Sequence, residues 1–292
     1  MAGETSLLDA LTDRVLRALV DDTAGAAELR FILGHYAASG RDDLSAALEI
    51  ALARAVGRAA TESLDSRELA DWIALFIEAS SLSDDVRVKT SAAFLAERIR
   101  GEWRAESAGV AASMRAVEAC LIAADNEERG VRMAGDAIDA LELLAQRYDP
   151  GRGMSDESAS GLERLSGDVQ SASTLLTAYM QTGRLPYSML AEELIELVMR
   201  SDWPGTASAS ESVVRFDDQT FVWACRTASV LSRLAKLHAN REYLDSAVVK
   251  PGADYRHEAS LLLAMLAAGI EERPVRSSAE YGLAVLDWLR ME

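Results

Sequence analysis

A chain of 292 residues, 49% of them hydrophobic and only 5 of them proline, can bury a sizeable core and leaves its helices largely unbroken. Its net charge of -17, with no Lys/Arg stripe, disfavours binding to nucleic acid or to an anionic membrane surface, and the acidity reads most simply as a solvated outer face. No stretch approaches the ~20 apolar residues of a membrane span, and Met1–Leu8 lacks the basic and apolar regions of a signal peptide.

Ala, Leu, Glu and Arg dominate and β-branched clusters are sparse, so helix is expected nearly everywhere. In chain order, apolar periodicity predicts helices at about 5–20, 24–38, 43–60, 66–80, 84–102, 107–124, 127–147, 166–182, 187–200, 217–238, 242–270 (interrupted) and 275–290. Leu69, Trp72, Ile73, Phe76 and Ile77 show the pattern at i, i+3, i+4, i+7 and i+8. Asp65 with Glu68 reads as a capping box, and Pro186 suits the first turn of its helix. Cys120 and Cys225 fall inside apolar helical patterns, far apart and without a nearby His. Free buried thiols in a cytoplasmic protein are therefore expected, with no metal site and no cofactor.

Between the helices a unit recurs: helix, tight polar turn, helix. It is clearest at Thr182-Gly183 before Pro186-Tyr187, at Ser39-Gly40-Arg41, and at His238-Ala239-Asn240, where Tyr243 matches Tyr187. Looser copies surround Ser81–Val86 and the stretch Leu121–Leu141. Helix 275–290 pairing with helix 5–20 would complete six hairpins. The expected fold is all-α, a single domain over residues 1–292, with six helical hairpins closed into an (α/α)6 toroid; the alternative is an open superhelix of α-hairpins. Closure is favoured because Leu8, Leu11, Val15, Leu16 and Leu19 at one end, and Ala279, Leu283, Leu286 and Leu289 at the other, all need cover.

From about Gly161 onward, "GDVQSASTLLTAYMQTGRLPYSMLAEELIELVMRSDW", "RTASVLSRLAKLHANREYLDSA" and "SSAEYGLAVLDWL" resemble the helical half of proteins that join a thioredoxin-like domain to an (α/α)6 toroid. The same text is similar, more distantly, to the N-acylglucosamine 2-epimerase toroids. The resemblance implies a scaffold and carries no catalytic signature. Relative to it, the thioredoxin-like Cys-x-x-Cys is missing, and "VVKPGADYR" (Val248–Arg256) interrupts an outer helix.

In such rings the tight turns crowd one rim, and the longer outer-to-inner connections line the other. Two of those connections are long, Tyr148–Gln170 and Ser201–Trp223, so a ligand site is expected between them. The candidate ligand-binding residues are Asp156, Glu157, Asp168, Gln170, Trp203, Asp217, Asp218, Trp223 and Arg226, with Arg152 and Gln219 beside them. Carboxylates with a tryptophan platform suit a sugar. Asp168, Asp217 and Asp218 have a plainer explanation as helix N-caps, and Trp203 and Trp223 as packing residues. The three histidines, His35, His238 and His257, fall away from the expected mouth, which weakens an epimerase-type acid–base mechanism. Terpene-cyclase Asp motifs, lanthionine-cyclase zinc ligands and a phosphate-binding Gly-rich loop are absent.

Two readings follow. One is a toroid that binds a small neutral or cationic molecule, a carbohydrate among the candidates, at an acid-rimmed mouth on the long-loop side, with or without catalysis. The other is a non-catalytic scaffold that has kept the ring, lost the chemistry and binds a protein partner.

Overall fold

The computed structural model describes residues 2–21, 23–61, 64–83, 85–100, 109–124, 130–154, 159–201, 216–248, 250 and 252–291. Its helices in chain order are α1 (Ala2–Val20), α2 (Ala26–Ser39), α3 (Asp42–Thr61), α4 (Ser66–Ser80), α5 (Val86–Ile99), α6 (Val110–Ala124) and α7 (Gly130–Ala145), then α8 (Gly161–Thr182), α9 (Leu185–Arg200), α10 (Asp218–His238), α11 (Arg241–Ser246), α12 (Tyr255–Ala267) and α13 (Val275–Leu289). Among the described residues there is no strand, and Asp149 and Gly153 form an isolated bridge. No described helix is long and apolar enough to cross a membrane.

Local chemistry sets the helix ends. Gly40 and Gly183 both adopt positive φ, 64° and 66°, and each donates its N–H to the carbonyl four residues back, on Tyr36 and Tyr179. The two clearest copies of the turn thus share one geometry. The third copy solves the problem differently: Asn240 accepts the Glu242 N–H and starts α11. The tyrosine after each of two turns reaches back to the preceding outer helix. Tyr187 donates to Glu142 Oε1 at 3.0 Å, and Tyr243 donates to Glu192 Oε1 at 2.6 Å. The one large boundary difference is α8, which begins at Gly161 rather than near 166. Ser160 and Glu163 form a capping box that extends the helix by more than a turn.

Helices α2, α4, α6, α8, α10 and α13 pack each against the next, and α13 packs back on α2. This closes an inner ring of six. Their partners α3, α5, α7, α9, α11 with α12, and α1 lie outside it. The fold is the closed (α/α)6 toroid, and the open superhelix is excluded by the α13–α2 contact. The seam is apolar: Leu8, Leu11, Val15 and Leu19 of α1 are buried, as are Ala279 and Leu286 of α13. Each large side chain contributes ~1.5–3 kcal/mol by leaving water. Arg14 of α1 fastens the seam, donating to the Ile270 carbonyl at 3.0 Å, to Ser278 Oγ at 2.9 Å and to the Arg273 carbonyl. The interruption at Val248–Arg256 is real: the last outer helix is split into α11 and α12, and Tyr255 at the start of α12 donates to Glu192 Oε2 at 3.2 Å.

Candidate functional site

All six inner helices contribute to a central cavity of about 310 Å³. The lining falls at helical spacing: Ala70, Ala74 and Glu78 on α4; Arg115, Glu118 and Ile122 on α6; Gln170, Ser173 and Thr177 on α8; Trp223, Arg226, Val230 and Arg233 on α10; Glu280, Leu283, Asp287 and Arg290 on the α13 side; and Arg30 and Gly34 on α2. The small residues Gly34, Ala70 and Ala74 leave room for the long polar side chains facing them.

The lining holds five arginines and four carboxylates. In a chain of net charge -17 this is a local reversal, and the acid rim expected from the sequence is not what encloses the cavity. The charges are paired. Arg226 Nη2 donates to Glu280 Oε1 at 2.9 Å, Arg30 Nη2 to Glu78 Oε1 at 2.5 Å, and Arg290 Nη1 lies 3.4 Å from Asp287 Oδ1. Arg115 bonds Asp71 of α4, just behind the lining, and Gln170 Oε1 at 2.9 Å. Glu118 accepts from Gln170 Nε2 at 2.7 Å, Ser173 Oγ at 2.7 Å and Thr177 Oγ1 at 2.8 Å, and lies 3.7 Å from Arg233. Arg226 also stacks over the Trp223 ring at 4.9 Å.

These partners set the ionisation. Burial pushes the Glu118 carboxyl up, but Arg233 and the two hydroxyls pull it below its usual value. Glu280 is likewise pushed up by burial, and Arg226 pulls it below its usual value. Arg115 falls to about 9, through burial first and the nearby Arg226 second, so it stays charged at neutral pH. Asp287 differs: burial raises its carboxyl, against a Ser229 hydrogen bond and Arg290.

The cavity is graded along its axis. Where the inner helices begin, the side chains of Asp71 and Glu280 are 9% and 7% exposed. Where they end, those of Glu78 and Arg290 are 41% and 57% exposed. Among the described residues the lining therefore opens toward the tight-turn rim, the opposite end from the long connections that sequence reasoning favoured. Gln170, Trp223 and Glu280 form a buried layer at the deep end.

Of the residues singled out from sequence, Gln170, Trp223 and Arg226 meet in this cavity. Asp168 does not. Two residues apart on a helix lie ~200° apart around its axis, so Asp168 and Gln170 cannot face the same way. Asp168 turns to the loop side, where Oδ1 accepts the Met154 N–H at 2.7 Å. It sits inside α8 and caps no helix. Burial pushes it to about 6, the Met154 bond opposing. Asp217 is the N-cap of α10, accepting from Thr220 N at 2.8 Å, and Asp218 pairs with Arg273 at 2.9 Å. Asp156, Glu157 and Trp203 lie outside the described residues. The histidines stay clear of the cavity. His35 is buried with Nδ1 2.6 Å from Thr12 Oγ1, and His238 Nε2 lies 3.0 Å from Glu192. Among the described residues no cluster of His, Cys, Asp or Glu could hold a metal ion.

Sequence reasoning missed Arg30, Glu78, Arg115, Glu118, Arg233, Glu280 and Asp287. A signal existed: polar residues recur at three- and four-residue steps within otherwise apolar helices, as in Gln170–Ser173–Thr177.

No family model matches this chain, and no curated protein is similar to it in sequence. Solved structures are similar in fold. One is an inactive variant of the α-1,6-mannanase GH76A of Salegentibacter sp. HEL1_6, two consecutive aspartates replaced by asparagine, in complex with α-1,6-mannotriose. It matches with a TM-score of 0.63 and 12% identity over 91% of this chain and 88% of that one. The variant with alanine at both positions, in complex with α-1,6-mannotetrose, matches with a TM-score of 0.64 over the same shares. These neighbours support the toroid. They do not support the kinship with thioredoxin-linked toroids or epimerases implied by the C-terminal half.

Proposed function

We propose that this protein binds a neutral oligosaccharide in its central cavity. The observation that carries the reading is the pairing of every lining charge with an opposite one, Arg115 with Asp71 just behind the lining, beside Ser173, Thr177 and the Trp223–Arg226 stack. A cavity whose charges are satisfied internally offers directional hydrogen bonds without a net field, which suits hydroxyl-rich, uncharged ligands. The mannanase neighbours, with mannooligosaccharides bound, lend the same direction.

Hydrolysis is a second reading, and Asp287 favours it. Its raised carboxyl faces a cavity in which Glu118 and Glu280 are held ionised, and environments that push two carboxyls apart are the usual mark of an acid and its partner. Against it, Glu118 already accepts three hydrogen bonds and faces an arginine, which leaves it a poor base. Of the adjacent aspartate pairs, Asp42–Asp43 and Asp217–Asp218, the two in which both residues are described, stand outside the cavity.

The test is calorimetric titration with α-1,6-mannotriose and with matched gluco- and galacto-oligosaccharides. Binding of one series, lost in Trp223→Ala and in Gln170→Ala but kept in Asp168→Ala, supports the cavity. No binding by any series leaves the protein-interaction scaffold. Release of reducing ends that disappears in Asp287→Asn, with binding retained, establishes hydrolysis.

A further inference from the structure

We infer that the cavity takes a glycan end-on, through the tight-turn rim, with the terminal sugar against the layer formed by Arg115, Gln170, Trp223 and Glu280. The inference rests on the carbohydrate reading above and adds the direction and mode of binding. Three observations carry it. The lining side chains are more exposed at Glu78, Asp287 and Arg290 than at Arg115, Glu118 and Glu280, so among the described residues the cavity opens toward the turn rim, while Arg276, beside Asp71, lies behind the layer on the loop side. The deep layer is cross-linked from helix to helix: Asp71 to Arg115, Arg115 to Gln170, Gln170 to Glu118, and separately Arg226 to Glu280. Such a layer is rigid, and passing a chain through it would break several buried charged hydrogen bonds at once. From Glu280 to Arg290 the α13 side rises about 15 Å, the depth of a short oligosaccharide rather than of a single sugar.

A groove that grips a polymer in mid-chain tolerates bulk at both ends of the ligand. A closed-ended cavity requires one small, free terminus. Binding should be measured for α-1,6-mannotetraose and for three derivatives: a bulky fluorophore at the reducing end, at the non-reducing end, or at both. The expectation is that one singly modified sugar binds within about threefold of the parent, and that the other and the doubly modified one bind at least 30-fold more weakly. Equal binding of the doubly modified sugar overturns the end-on mode while leaving the carbohydrate reading intact. Failure of the unmodified mannotetraose and of its gluco and galacto counterparts to bind sinks both.

The rim is tested separately with a nitroxide on Thr182→Cys at the turn rim or on Arg164→Cys at the loop side, since the native Cys120 and Cys225 are buried. Relaxation of the ligand's modified end should be enhanced at least threefold more by the Thr182 label. The opposite order overturns entry from the turn rim.

Discussion

Gly282 of α13 lies flat against the ring of Phe31 on α2: a Cβ at Gly282 would stand 2.3 Å from Phe31 Cε2. These two helices are where the end of the chain meets its beginning, so the approach that closes the toroid depends on a missing side chain. Gly282→Ala should therefore destabilise the protein by ~1–3 kcal/mol, because Phe31 is fully buried and must shift. Gly57→Ala on outer helix α3, with nothing within 4 Å of the new Cβ, should stabilise by ~0.5–1 kcal/mol. Urea titrations of both variants give the comparison, and equal effects would remove the seam argument.

The same seam makes α1 integral. Deleting residues 1–21 uncovers the partners of Leu8, Leu11, Val15 and Leu19 and removes Arg14. A large fall in melting temperature is expected, and Arg14→Ala alone should reproduce part of it. Since the ring shares one continuous core, the intact chain should melt in a single calorimetric transition. Two resolved transitions would count against one domain.

Asp168 should give a pH signature. Its folded value, about 6, lies above the unfolded carboxylate value, so the folded state holds the proton more tightly. The stability this confers is complete below pH ~4 and is lost as pH rises through 6. Asp168→Asn should flatten that slope and raise stability at pH 7 by up to ~3 kcal/mol, since the amide oxygen can still accept from Met154. An unchanged slope between pH 4 and 6.5 would show that the carboxyl is not held as described.

Both thiols should be inert. Burial pushes Cys120 to about 12 and Cys225 well above its ordinary value, and neither faces the cavity. A disulfide reagent at pH 7.5 should label neither until denaturant is added; rapid labelling of the folded protein contradicts this.

Much of the fold was legible before the structure. Periodicity located the helices, the Gly40 and Gly183 turns revealed the repeat, and the uncovered faces of α1 and α13 argued for closure. Each of these is a local property of spacing and side-chain type, written within one helix or one turn. Apolar spacing alone places the α8 start too late, because a polar capping box, Ser160 with Glu163, sets it.

The site was far less legible. Gln170, Trp223 and Arg226 were found because they stand near long loops, and the acid expected around them was not in the cavity. Which residues meet on the ring axis depends on how far each helix is rotated about its own axis, and that rotation is set by neighbours distant in sequence. Phe31 needs Gly282, and Glu118 needs Arg233 from another helix. By itself the sequence determined a repeat of helical hairpins, because helix period and turn chemistry are short-range; it favoured closure, which the α13–α2 contact decides. Only the tertiary structure decided that arginine–carboxylate pairs fill the middle and that, among the described residues, the lining opens toward the tight-turn end, because convergence of six helices is a long-range fact.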